Sequence, residues 1–307
     1  MFLRRSAFLL PLLAIGCTRP GREPPSPLAL RLGTALEAAD PGADALILRM
    51  AAFEQRALRE GGAMAFAAGG RRAAPPRLGP PPIGLVEAAG QVLMPAFTAL
   101  GDYGDALAQL AGGEGIAPRS GPEGALLAEA AAAGLRDVEA ASGTAVPEPA
   151  RAAGLAGIAA LSGLPDRIAA TRGATVPAMV AEAAPHLAAV TGLLRMVIGA
   201  QPGQGVRGAL RARREGLDAM QSRFLAAVAA DRRLGPGERY GIFRSLAELR
   251  EDDPAQDSLA ALAELLDRLE TAHAALAAGA PEAGEKVAGF EAAVARLGVL
   301  AESARHG

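Results

Sequence analysis

The chain has 307 residues with 31 basic and 33 acidic side chains, so its net charge of −2 at pH 7 provides no positive excess for a general nucleic-acid binder. Hydrophobic residues make up 50% of it but aromatics only 3%, and there is no Trp; the apolar content is mostly Ala and Leu, two strong helix formers. β-Branched residues are sparse, and the pattern predicts an all-α protein: an antiparallel helical bundle of about eight helices with an Ala/Leu-rich core.

Residues 1–16 read as an export leader. Arg4 and Arg5 make a basic start, Ala7 to Ile15 is an apolar run interrupted only by Pro11, and Gly16 supplies a small residue before Cys17. The run is shorter than the about 20 apolar residues that cross a bilayer, and later apolar stretches are broken by charges, Gly or Pro. Leu13-Ala14-Ile15-Gly16-Cys17 resembles the lipobox of bacterial lipoproteins. The resemblance covers these residues alone. It implies that the leader is cut before Cys17, that this thiol is lipidated, and that the protein faces the periplasm on a membrane anchor. Thr18, where Asp would favour inner-membrane retention, implies the outer membrane. Arg4-Arg5 also loosely resembles a twin-arginine signal, but Phe8 comes one position late, which favours ordinary Sec export. Cutting the leader removes two Arg and takes the charge from −2 to −4. With Cys17 acylated no thiol is left, so disulfides, thiol nucleophiles and Cys-ligated metals are excluded.

Residues 17–27 hold the lipidated cysteine and a Pro-rich tether, with a reach of roughly 30 Å at about 3.1 Å per residue. The helical domain follows over 28–307. Its first stretch, 28–68, holds one or two helices with a break at Pro41, where Asp40 suits an N-cap and Pro41 a first helical position. Residues 69–82 are a Pro/Gly-rich linker carrying Arg71, Arg72 and Arg77; it reads as a variable loop or as a docking segment for a partner. In the next helix Leu93, Ala96, Leu100, Tyr103, Leu107 and Leu110 form a heptad-like seam, with the Tyr103 hydroxyl at its edge. Gly101 to Leu107 resembles part of a tetratricopeptide repeat, but no second copy follows at the period of about 34 residues.

Further helices are predicted over 122–141 and 151–172, the latter with a start signal at Leu164-Pro165-Asp166, and over 175–198, capped near Thr175 and kinked at Pro185. Gly203 to Gly208 satisfies Gly-x-Gly-x-x-Gly, yet no strand precedes it and no sheet surrounds it. It reads as an interhelical turn, not a dinucleotide site. In the helix from Val206, Arg207, Arg211 and Arg214 share one face. This is a solvated stripe paired with Glu and Asp or a contact for an anionic surface such as lipid phosphate. A short helix over 238–250 follows, then an Asp253-Pro254 start. The helix after it repeats Leu259, Leu262, Leu266, Leu269, His273 and Leu276 at spacings of three and four. Gly279-Ala280-Pro281 joins it to the last helix as a helical hairpin.

His186, His273 and His306 are the only histidines, and none belongs to a helical His-x-x-x-His pair. There is no nucleophile elbow or phosphate loop. Asp102 and Asp105 read as surface charges. No cofactor, metal or catalytic set is expected, and Cys17 is the one chemically committed residue. The expectation is a non-enzymatic envelope lipoprotein acting as an interaction or scaffold protein for another envelope protein, with no nucleic-acid partner. The alternatives are a periplasmic carrier holding an apolar ligand in the bundle, marked by an apolar cavity, and an enzyme built on His273 or His186.

Overall fold

The computed structural model describes residues 26–68, 82–118, 121–171, 173–201, 203–251 and 253–303. The leader, Cys17, most of the tether, the linker arginines and His306 lie outside them. Nine helices and no strand occur among the described residues: α1 Pro27–Ala68, α2 Leu85–Ala111, α3 Gly124–Ser142, α4 Glu148–Ala169, α5 Val176–Ile198, α6 Gly205–Ala230, α7 Pro236–Glu251, α8 Ala255–Ala277 and α9 Ala283–Ser303. The fold is an all-α helical bundle.

α2 is the centre. It is apolar on nearly every side, the pattern of a helix enclosed by others, and α1, α3, α4 and α5 all pack on it. The α1–α2 pair is antiparallel, closed where Ser26 N donates to Ala111 O at 3.1 Å. The two backbones come very close at Gly33 and Gly104. A Cβ on Gly33 would lie 2.6 Å from the Gly104 carbonyl oxygen, so glycine is required for this crossing. α4–α5 and α8–α9 form two further hairpins, and α8–α9 closes the bundle against α1 and α5. The predicted seams are buried except at their last residues, Leu110 and Leu276, which are half-buried; Leu259, Leu262, Leu266 and Leu269 are all inside.

Three local expectations are corrected. α1 runs unbroken through Pro41. A helix-interior proline costs about 3 kcal/mol, but Leu36 and Ala39 before it and Ala43 and Leu46 after it are all fully buried. Packing on both sides holds the two halves in one helix, and Asp40 faces other carboxylates instead of capping. α4 likewise passes through Pro165, with Leu164 and Ile168 buried around it. Tyr103 is not at an edge: it is 0% exposed. The cap at Thr175 is as read, its Oγ1 accepting from Ala178 N at 3.3 Å. α5 is long and apolar enough by composition to cross a membrane, which the sequence reading had set aside. In the bundle Val190, Leu193, Leu194 and Val197 are buried, and α5 lies between α4 and α8.

Candidate functional site

A groove of about 1080 Å³ lies between the C-terminal half of α1 and α6. It arises because α6 does not close down on the bundle. Val206 at its start and Val228 near its end are buried, whereas Leu210, Leu217 and Met220 between them stay partly open. Opposite stand Met50, Phe53 and Leu58 of α1, with Val86 of α2 at the floor. Ligand pockets are commonly about 300–1,000 Å³ and mainly apolar with a few placed polar groups. This groove is at the upper end of that range and has the same character.

Its polar groups are concentrated at one end. Glu54, 7% exposed, projects from the apolar face of α1 toward the start of α2. One carboxylate oxygen accepts from Leu85 N at 2.9 Å and the other from Val86 N at 2.7 Å. Gly84 precedes α2 and has no side chain to cap it. Glu54 therefore supplies from another helix the acceptor that a local Ser or Asp gives elsewhere. Arg213 of α6 reaches the same carboxylate at 2.7 Å and donates to Ala141 O at 2.9 Å, tying α1, α3 and α6 together. Arg214 bonds Asp253 and donates to Arg250 O at 2.9 Å, while Arg250 meets Asp218 at 3.2 Å. Asp253 also accepts from Ala255 N at 3.0 Å, as part of the start of α8.

The sequence-singled arginines separate. Arg211 and Arg214 line this groove, Arg211 pairing with Glu215 at 3.3 Å. Arg207 instead lies in a small polar cleft against α8, beside Glu264, Asp267 and Arg268. The glycine run they follow makes a tight turn. Gly205 has φ +54°, and a Cβ on Gly208 would lie 2.3 Å from the Gly203 oxygen. The neighbouring Arg213 and its partner Glu54 were not singled out. A readable signal exists: Glu54 stands four residues after Met50 on an otherwise apolar stripe, and a bare glycine opens α2.

Two other polar groups lie in the bundle. Tyr103 Oη and His273 Nε2 share a hydrogen bond of 2.9 Å between the two seams, their rings tilted at 57°. Burial pushes the His273 imidazole down to about 4 and raises the Tyr103 phenol further still, so both are neutral. Burial is the cause of the His273 shift. His186 is half-buried on α5. Asp40 is pushed up to about 6, first by burial and then by the carboxylates of Asp44 and Asp102. Asp102 also accepts from the Ser162 hydroxyl at 2.8 Å, and Asp105 accepts from Gln109. Among the described residues no three His, Cys, Asp or Glu side chains are grouped to hold a metal ion. The chain matches no protein-family model, and comparison with characterised proteins and with solved structures finds no match either.

Proposed function

We propose that this chain is a lipid-anchored envelope protein, held through Cys17 on the periplasmic side of the outer membrane, whose helical body carries an apolar-chain ligand in the α1–α6 groove. The observation that supports the carrier reading is the groove itself: about 1080 Å³, floored by Met50, Phe53, Val86 and Leu217, with arginines at one end. An apolar chain gains about 25 cal/mol for each Å² it removes from water, and the end where Arg213 and Arg214 pair with Glu54 and Asp253 suits a polar head. A scaffold for another envelope protein is the competing reading. Its mark is a solid core beneath a broad exposed apolar patch, and the groove favours the carrier.

One probe tests both parts. Cells are fed a fatty acid bearing an alkyne and a diazirine. Without irradiation, the alkyne is expected on the wild type and absent from Cys17→Ala; labelling of both or of neither removes the anchor. With irradiation, crosslinked peptides are expected from the α1 and α6 walls. Leu217→Glu, a half-exposed position whose change leaves the core intact, lowers them at least tenfold. Crosslinks scattered over the surface, or indifferent to Leu217→Glu, remove the carrier reading and leave the anchor standing.

A further inference from the structure

α6 and α7 form a hairpin arm that stands off the bundle. No helix packs extensively on α7, and α6 is its main neighbour among the described residues. Within α7 the one buried hydrophobic side chain is Leu246. Its outward stripe runs through Tyr240, Phe243 and Arg244, spaced three, four and one residues so that they share a face. Tyr240 is 67% exposed and Phe243 57%. Two neighbouring aromatics left in water on a loosely packed helix are not accounted for by folding of the bundle.

Charge accompanies them. Residues 205–251 contain ten Arg against six Asp and Glu, an excess of four in a chain whose total is −2, so the remainder carries −6. The bend of the arm is also rigidly built. Asp231 accepts from Arg233 N at 2.9 Å, Glu238 accepts from Gly235 N at 2.7 Å, and Arg239 donates to Asp231 O at 2.9 Å. The two carboxylates nearest the tip are thus turned onto backbone amides. Arg232 and Arg233 are exposed beside them; Arg233 lies 3.8 Å from Asp231 in a loose pair, with 94% of its side chain in water. Arg244 has Glu248 as a neighbour at 2.6 Å, an exposed pair that leaves it reachable.

We infer that the tip of the α6–α7 arm is a second membrane contact: Tyr240 and Phe243 enter the headgroup region of a bilayer, and Arg232, Arg233 and Arg244 meet anionic lipid phosphates. Aromatics on one side with arginines around them are the composition of helices that lie in a membrane interface. Each arginine near an anionic surface contributes about 1 kcal/mol, roughly fivefold in partition. The contact is independent of what fills the groove.

The absence of Trp from the chain makes the test specific. The full-length, lipid-anchored protein carrying Phe243→Trp is reconstituted in phosphatidylcholine vesicles with and without 30% phosphatidylglycerol, and its emission is followed. With phosphatidylglycerol the emission is expected to shift to the blue and to be quenched by lipids brominated near the headgroup end of the chain. In phosphatidylcholine alone it stays at the water-exposed position. Adding Arg232→Ser and Arg233→Ser is expected to lower the ratio of inserted to water-exposed emission at 30% phosphatidylglycerol by about thirtyfold. Circular dichroism confirms that each variant is folded. Emission that remains water-exposed in both vesicles overturns the inference. A blue shift in detergent without vesicles that grows with protein concentration also overturns it, assigning the face to a second copy of the chain. A shift equal in both lipids removes the arginines' role and with it the anionic contact.

Discussion

Glu54→Ala is expected to lower the stability of the fold by about 2–5 kcal/mol, chiefly because two buried amides lose their acceptor at about 1–3 kcal/mol each, while Arg213, 41% exposed, is rehydrated. Three donors lose their acceptor at once. The amides of Leu85 and Val86 sit at the buried start of the central helix, and Gly84 has nothing to offer them. Arg213 keeps only the Ala141 carbonyl. With total stabilities of about 5–15 kcal/mol for a folded domain, this single change brings the protein near the edge of unfolding. Glu54→Gln retains the shape and one acceptor oxygen, and is expected to cost less, about 1–3 kcal/mol. Gly84 gives the discriminating control. A Cβ there would lie 2.4 Å from a Glu54 carboxylate oxygen, so Gly84→Ser destabilises the wild type. In Glu54→Ala that oxygen is gone, and the serine can cap α2 locally, restoring about 1 kcal/mol. Urea unfolding followed by circular dichroism measures the wild type and these four variants. A Glu54→Ala variant within 0.5 kcal/mol of wild type, or a serine that destabilises both backgrounds equally, contradicts the cross-helix cap.

The helices were legible because their signals are local. The three-and-four spacing of Leu259 to Leu269 requires only that one face be buried, whichever helix covers it. Pro41 and Pro165 were misread for the complementary reason: a proline's local cost is known from the sequence, but the packing that offsets it belongs to partners far along the chain. Leu36 and Leu46 are held by α2 and α9, and nothing in residues 36–46 announces them. The groove was hidden in the same way. Leu210, Leu217 and Met220 form a regular apolar side of α6, and such a side is normally read as core. Only the placement of α6 against α1 shows that it stays open. Glu54 and Arg213 lie 159 positions apart, so their pairing is a property of the fold. The Tyr103–His273 contact joins two seams that were each drawn correctly, and neither indicated the other.

That buried pair makes stability sensitive to acid, and the sign follows from the direction of the shift. An unfolded histidine titrates near 6.5, whereas His273 in the fold is pushed down to about 4 by burial. Above pH 6.5 both states are neutral and His273 contributes no pH dependence. As the pH falls through 6.5 the unfolded chain takes up the proton first, so folding loses stability, reaching about 3 kcal/mol by pH 4. Asp40 works in the opposite direction. Its carboxyl is raised to about 6, so the folded form is protonated before the unfolded one and gains stability as the pH falls over nearly the same range. Asp44, also raised by burial, acts in the same direction as Asp40, and the wild-type profile, in which these carboxyls oppose the histidine, is expected to be flatter than the histidine titration alone. Asp40→Asn removes one compensating carboxyl and exposes the histidine loss. Adding His273→Leu with Tyr103→Phe then replaces both hydrogen-bonding partners by apolar groups, a change that can be nearly neutral at pH 7. Urea midpoints measured from pH 7.5 to 4.5 are expected to fall steeply for Asp40→Asn and much less for the triple variant. Parallel profiles would mean that the imidazole of His273 reaches water and protonates in the fold, and that the Tyr103–His273 pair is not the source of acid sensitivity.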